Sequence, residues 1–436
     1  MGEEFVEKLL HGLQLVVHGV LRPTHEHLAV RLDRTGKLEA EAVTQGIVTG
    51  AQVDIPFLLH PGFAVRGLEV DGAPAPRVQD GPALHYARPT RSIARGAACT
   101  VETRYSGEYT LGVRRTPAGD PWYEFNLNAF WRPLFSLDLR DGAQFRVAAS
   151  LPGRLHVVSS IAEGEVHSTA DGTTGQWDTR EQTSVDFSLV AGEGEYAESR
   201  SGAMAIAALT MRGAPYRPQD VIAMAREIVE LYASLWGACP FDRLTVACPP
   251  GSVSGNCARE GLVIAGLIGD RNLASRFGVL AHEIAHLWWG IGIRFDPTRP
   301  GCEEGLAEYA ALAADRARLG RRALRKIVTE EHLPRAREAE AHGTALLDCT
   351  LFQPHSEALR EGKGACTFLL LERALGEEAM ARALREFASR FRRHAATPDD
   401  LRATLVSFGG PDVGKLWDAY LAGTEPLPDD IERYVG

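Results

Sequence analysis

The chain has 436 residues, 45% hydrophobic and 24% charged, enough for two or three domains with ordinary buried cores. A net charge of −10 and a sequence pI near 5.8 exclude a dedicated nucleic-acid binder, since nothing beyond local patches would offset repulsion from phosphates. No run approaches the eighteen or so unbroken apolar residues of a membrane span, and Met1-Gly2-Glu3-Glu4-Phe5 has neither the basic nor the apolar region of a leader peptide.

Val6 also fails the pattern for myristoylation, which wants Ser or Thr there. From Gly12 to about Ala203 the sequence reads as period-two runs separated by turn clusters. Examples are Leu13-Gln14-Leu15-Val16-Val17, His27 to Leu32 and Phe145 to Leu151, with breaks at Asp71-Gly72, Asp141-Gly142 and Ala170-Asp171-Gly172. Strands this numerous and short predict an antiparallel sandwich or saddle rather than a parallel sheet. Within this half, Trp122 to Pro133 is dense in aromatics, which reads as core or interdomain packing.

Near Tyr216 the period changes to that of a helix. Val221, Ile222, Ala225, Ile228, Val229, Tyr232 and Trp236 recur at helical spacing, and Gly237 fits a C-terminal cap. We place the domain boundary at 203/204, giving a β domain over 1–203 and a second domain over 204–436. A strand-like run, Leu244 to Ala247, follows, then a loop through Pro249-Pro250-Gly251 and a second apolar run, Gly261 to Ala265. Such a strand can pair with an extended peptide through its main chain.

The stretch Val279 to Trp289 carries His282-Glu283-Ile284-Ala285-His286. Two histidines four positions apart on a helix share one face, so both imidazoles can reach one metal ion, and zinc suits that geometry. Glu283 follows the first histidine, where its carboxylate can take a proton from water at an open coordination position. The flanking residues are apolar, so burial demands a partner for the polar ones. A hydrogen-bonded core cluster is the plainer alternative. A second predicted helix opens at Cys302-Glu303-Glu304-Gly305-Leu306-Ala307-Glu308-Tyr309; Glu304 lies eighteen positions after His286, and Glu308 one helical turn further on. Glu304 supplies a third ligand, and Glu308 a carboxylate to hold a ligand histidine in the right tautomer.

Beyond Arg321 the chain reads as helices punctuated by Gly343, Pro354, Gly376 and Pro398, and the basic runs Arg316 to Lys326 and Arg390 to Arg393 read as solvated helical faces. Seven cysteines, Cys99, Cys239, Cys248, Cys257, Cys302, Cys349 and Cys366, form no CxxC pair, which predicts free thiols in a reducing, cytoplasmic setting. Cys257 and Cys302 fall near the predicted site as metal contacts or as small buried residues.

At the histidine and glutamate motifs the chain resembles the gluzincin aminopeptidases, the group that includes aminopeptidase N and leukotriene hydrolase. Their pattern is HExxH, an eighteen-residue gap, then Glu-Gly-Phe-Ala. Here the gap, Leu287 to Glu303, is one residue shorter, so Glu303 is the alternative third ligand; Glu304 is favoured because Gly305-Leu306-Ala307 follows it. The resemblance implies an α+β chain of two domains, a saddle-shaped N-terminal β domain followed by a thermolysin-like, mostly helical catalytic domain with one zinc ion. It also implies that a polar side chain near Glu124 holds the amino end of a substrate.

Three departures stand against the family pattern. Aligning on Gly261-Leu262 puts Ala258 where the family carries the glutamate that grips the substrate amine, with Arg259 beside it and Glu260 two positions along. Arg259 suggests a substrate with an acidic group near the scissile bond. Gly362-Lys363-Gly364-Ala365 resembles the family's Tyr-x-Lys-Gly-Ala, but Glu361 stands at the position of the oxyanion-binding tyrosine; His355, Arg360 and Tyr309 are candidates to fill its place. The chain also ends near where the catalytic domain should, without the family's large C-terminal helical domain. The sequence therefore points to a zinc hydrolase of a peptide or small amide, specialised rather than broad. Ester, epoxide or lyase-type zinc chemistry on the same scaffold is the alternative, and a non-catalytic binding protein is a third reading that an intact Glu283 disfavours.

Overall fold

The computed structural model describes residues 12–17, 19–50, 54–138, 140–160, 164–180, 182–201, 204–250, 255–266, 273–350, 353, 355–429 and 431. The first eleven residues, on which the leader and acylation readings rest, and Gly251 and Pro354 lie outside them. The chain forms two compact units: Met1–Ala197, Ala207–Pro218 and Thr245–Gly269 in the first, and Glu198–Ile206, Gln219–Leu244 and Asp270–Gly436 in the second.

The first unit is built on an eight-stranded sheet in the order Glu165–Ser168, Gly172–Asp178, Gln144–Pro152, Leu21–Leu32, Lys37–Val48, Ala98–Glu108, Phe63–Val70, Ala73–Pro74. Alternation decides which face is buried: Leu38, Ala40 and Ala42 point inward from one strand, and Phe145, Val147, Ala149 and Leu151 from another. Asp33 closes the first hairpin, accepting from the N–H groups of Thr35 at 2.8 Å and Lys37 at 3.0 Å. Smaller sheets of three and four strands pack around a core that includes Phe57, Tyr105, Phe125, Trp131, Phe145 and Phe187. Asp71 and Gly72, one of the expected breaks, both adopt positive φ between paired strands.

Two details depart from the sequence reading. Leu21–Leu32 pairs parallel with Gln144–Pro152, so the sheet is antiparallel except at this seam. And Leu13 to Val17, expected as a strand, is helical, with Val16 buried and Leu15 exposed. A five-residue apolar run fits both periods, and its packing decides between them.

The second unit is helical. Pro218–Trp236 buries all seven residues named for it above and ends at Gly237, whose φ of 91° is the left-handed conformation a glycine cap supplies. This helix seats Phe277–Ala285, the histidine helix: the Tyr232 hydroxyl donates to the Ala281 carbonyl at 3.0 Å, and Trp236 meets Trp289 edge-on at 5.3 Å. Gly301–Leu319, the glutamate helix, packs against it. Further helices are Arg321–Ile327, Leu333–Glu340, Ala365–Leu375, Glu377–Arg390 and Pro398–Tyr420, the last opened by a capping box between Thr397 and Asp400. Two segments, Val328–His332 and Ala358–Gly364, are π-helical, a local widening often found beside functional sites. A β-rich N-terminal part followed by a helical C-terminal part is the fold class the sequence predicts. Among the described residues no helix is long and apolar enough to cross a membrane.

Candidate metal centre

The histidine helix buries Phe277, Leu280, Ala281, Ile284 and Ala285, which leaves one narrow face for polar groups. His282 lies in its last turn and His286 at its C-cap, still in right-handed helical conformation, so the four-residue spacing brings their Nε2 atoms to 3.2 Å. Glu304, in the first turn of the neighbouring helix, points Oε2 at the same place, 3.5 Å from Nε2 of His282 and 3.9 Å from that of His286. Ligands bound to zinc at about 2.0–2.2 Å in a tetrahedron stand roughly 3.4 Å apart, and the observed separations bracket that value. Among the described residues, His282, His286 and Glu304 are the set close enough to share an ion; Glu303 is not part of it.

The outer nitrogens explain why the inner ones need a cation. Nδ1 of His282 lies 2.5 Å from Oε2 of Glu308, and Nδ1 of His286 donates to the Trp289 carbonyl at 3.0 Å. With Nδ1–H used in this way, each neutral imidazole turns its Nε2 lone pair toward the other and toward a carboxylate oxygen. Three electron-rich atoms converging in a buried place repel one another unless a positive charge sits among them. Burial opposes a charge on His282, but hydrogen bonds with Glu304 and Glu308 outweigh burial and raise its pKa well above the ordinary value. Burial pushes His286 the other way, to about 4. Burial also works against the charge of Glu304, yet His282, His286 and Arg360 hold it down to about 2. Glu303, by contrast, is raised to about 8 by burial and by the charge of Glu304.

Glu283 is buried on the histidine helix. Glu361 pairs with Arg335 at 3.0 Å and is raised to about 7, mainly by burial. Of the three candidates for the missing tyrosine, Tyr309 donates to Glu372 at 2.6 Å, His355 is bonded to Glu338 and stacked on His342, and Arg360 lies against Oε1 of Glu304 at 2.9 Å. His332, which the sequence did not single out, stands with Nε2 3.5 Å from Glu308 and Nδ1 3.2 Å from the Glu361 carbonyl. No spacing rule connects residues 308, 332 and 361; the two π-helical segments bring them together.

Glu124, Arg259 and Glu260 belong to the first unit. Glu124 is buried on Pro121–Phe125, with the Asn126 amide 3.5 Å away. Arg259, on the edge strand Cys257–Arg259, donates through Nε to Asp186 at 3.1 Å and through Nη1 to the Ala258 carbonyl at 2.6 Å. Glu260 accepts from the Val185 N–H at 2.8 Å. Asp186 is the group the sequence missed: it also bonds the Leu127 N–H at 3.0 Å, the Ser188 hydroxyl at 2.9 Å and Arg132 at 3.1 Å.

No protein-family model matches the sequence, and no curated protein matches it. Solved structures do. An M1 zinc metallopeptidase from Deinococcus radiodurans superposes with a TM-score of 0.71 at 16% identity, over 95% of this chain and 96% of that one. A variant of the Deinococcus radiodurans enzyme bound to a Tyr-Ser-Ala substrate gives 0.70 at 17% identity, over 94% and 95%. A variant described as a two-domain M1 zinc metallopeptidase bound to L-tryptophan gives 0.69 at 17% identity, over 95% and 98%. These neighbours are covered almost end to end. The chain has the fold of the two-domain M1 zinc metallopeptidases, and the resemblance first read from His282-Glu283-Ile284-Ala285-His286 and Glu304 extends at the level of fold to nearly its whole length.

Proposed function

We propose that this chain is a zinc-dependent hydrolase of a peptide or small amide, holding one ion through His282, His286 and Glu304. The observation that carries the reading is the convergence of two Nε2 atoms and one carboxylate oxygen, with both Nδ1 atoms engaged outside the cluster. When bound there, zinc supplies Lewis acidity toward a carbonyl and toward water. Glu283 takes the proton of the attacking water and passes it to the leaving nitrogen. Glu308 holds the His282 ring in orientation, and the Trp289 carbonyl does the same for His286.

The substrate is a specialised one. Ala258 offers no charge to a free amine, and Glu361 stands where the resemblance expects a phenol donor, so broad aminopeptidase activity is not what these residues favour. Glu124, Arg259, Glu260 and Glu361 are the substrate contacts we propose, Arg259 being suited to an acidic group. The neighbours bound to a tripeptide and to an amino acid support peptide chemistry. The same two replacements favour, as the second reading, ester, epoxide or lyase-type chemistry on the same ion. A cytoplasmic setting without nucleic-acid or membrane partners completes the reading, supported by seven cysteines all outside disulfides and by the acidic charge.

Metal analysis of the purified chain, followed by a panel of peptides with free and acetylated amino ends, tests this. We expect stoichiometric zinc and turnover that does not depend on a free amine. Absence of zinc would refute the hydrolase; zinc without peptide turnover would favour the second reading.

A further inference from the structure

Glu304 divides its two oxygens between different partners. Oε2 faces the imidazoles of His282 and His286, while Oε1 receives Nη1 of Arg360 at 2.9 Å. Arg360 is itself anchored, its Nε donating to the Ser356 carbonyl at 3.3 Å, and its side chain is only 14% exposed. The same π-helical segment, Ala358–Gly364, makes a second attachment through the Glu361 carbonyl to His332, which stands beside Oε1 of Glu308, the oxygen His282 does not use. Each carboxylate therefore turns one oxygen inward and one outward, and one segment of chain fixes the outward partner of both.

A carboxylate with both oxygens available can bind a divalent ion through either one or two of them. Two-oxygen binding by Glu304 would raise the coordination number and crowd the position that hydrolytic zinc sites keep open. A guanidinium on the outer oxygen prevents this, because it competes for that oxygen and stays charged at every working pH.

We infer that Arg360 is a positioning residue that restricts Glu304 to one-oxygen donation and so keeps a coordination position open for substrate or water. The inference rests on the zinc reading above and adds to it a residue that no spacing motif marks.

The test is the visible absorption of the full-length chain loaded with cobalt(II), which absorbs far more strongly when four-coordinate than when five- or six-coordinate. Wild type is expected to show the strong spectrum. R360A and R360Q lose most of that intensity at equal cobalt content, and R360K, which restores a charge without the planar fork, is intermediate. Should R360A fail to fold, R360Q and R360K carry the same comparison. Equal spectra in wild type and the folded variants, or a weak spectrum in wild type, overturn the inference and leave the metal site standing. Wild type that takes up neither cobalt nor zinc overturns the metal site and the inference together.

Discussion

Gly305 and Gly364 face each other where the glutamate helix crosses the start of Ala365–Leu375, at a separation that admits no side chain. A Cβ at Gly364 would lie 2.9 Å from the Gly305 Cα, and one at Gly305 would lie 3.2 Å from the Gly364 Cα. This approach holds Glu304, one residue before the first glycine, within reach of Arg360, four residues before the second. Gly364→Ala is therefore expected to destabilise the chain by ~1–3 kcal/mol through overpacking of backbone that cannot yield. Urea denaturation measures it; an unchanged midpoint would show that the crossing is looser than it looks.

Glu283→Gln keeps the shape of the side chain and removes its basicity. Turnover is expected to fall by ~10²–10⁴-fold, the usual contribution of a general base, with zinc content unaltered. Residual turnover close to wild type would take the proton-transfer role away from Glu283.

Ligand removal should be visible as lost stability, because an ion that binds only the folded form stabilises it by mass action. At zinc about 100-fold above Kd this is ~2.7 kcal/mol, or roughly 5–10 °C in the transition of a unit this size. Calorimetry with and without a chelator should show the shift in wild type and none in His286→Ala, which lacks one of the three donors. A chelator-induced shift of the same size in the variant would place the ion elsewhere.

The first unit carries its own pH dependence. A β-bulge between Pro23 and His25 turns Glu26 inward, where both its oxygens meet Arg132, at 2.8 and 2.9 Å. Burial raises its carboxyl from 4.5 to about 6, against the opposing pull of Arg132. A raised acid pKa stabilises the folded form when protonated, so this contribution is complete below about 4.5 and fades as pH rises through about 6. It is of order 2 kcal/mol. The difference in unfolding free energy between wild type and Glu26→Gln, measured from pH 4 to 7, should fall across that window; a flat difference would mean that Glu26 titrates normally.

Asp186 holds two cations of this network, Arg132 and Arg259, and is 1% exposed. Asp186→Ala strips both of a partner and is expected to cost ~3–5 kcal/mol, as removal of one member of a buried charge pair does. Denaturant titration against Asp186→Asn, which keeps hydrogen bonding, checks this: equal losses would show that the charge itself does not matter.

The sequence by itself determined the local structure and the chemistry that local spacing can encode. The Glu-Gly-Leu-Ala of the glutamate helix, through its resemblance to a family pattern, singled out Glu304 as the carboxylate that converges with the two histidines. The histidines, four apart, were legible as a pair because helix geometry puts i and i+4 on one face. The seven buried positions of Pro218–Trp236 and its terminal glycine were legible for the same reason. Leu13 to Val17 was not, since five residues cannot distinguish a period of 2 from one of 3.6. Arg360 on Glu304, His332 beside Glu308, and Asp186 binding Arg132 to Arg259 were decided only by tertiary structure. Their partners lie 24 to 73 residues apart in the chain, and the helix crossing at two glycines and the two π-helical segments that bring the first two pairs together leave no periodic trace.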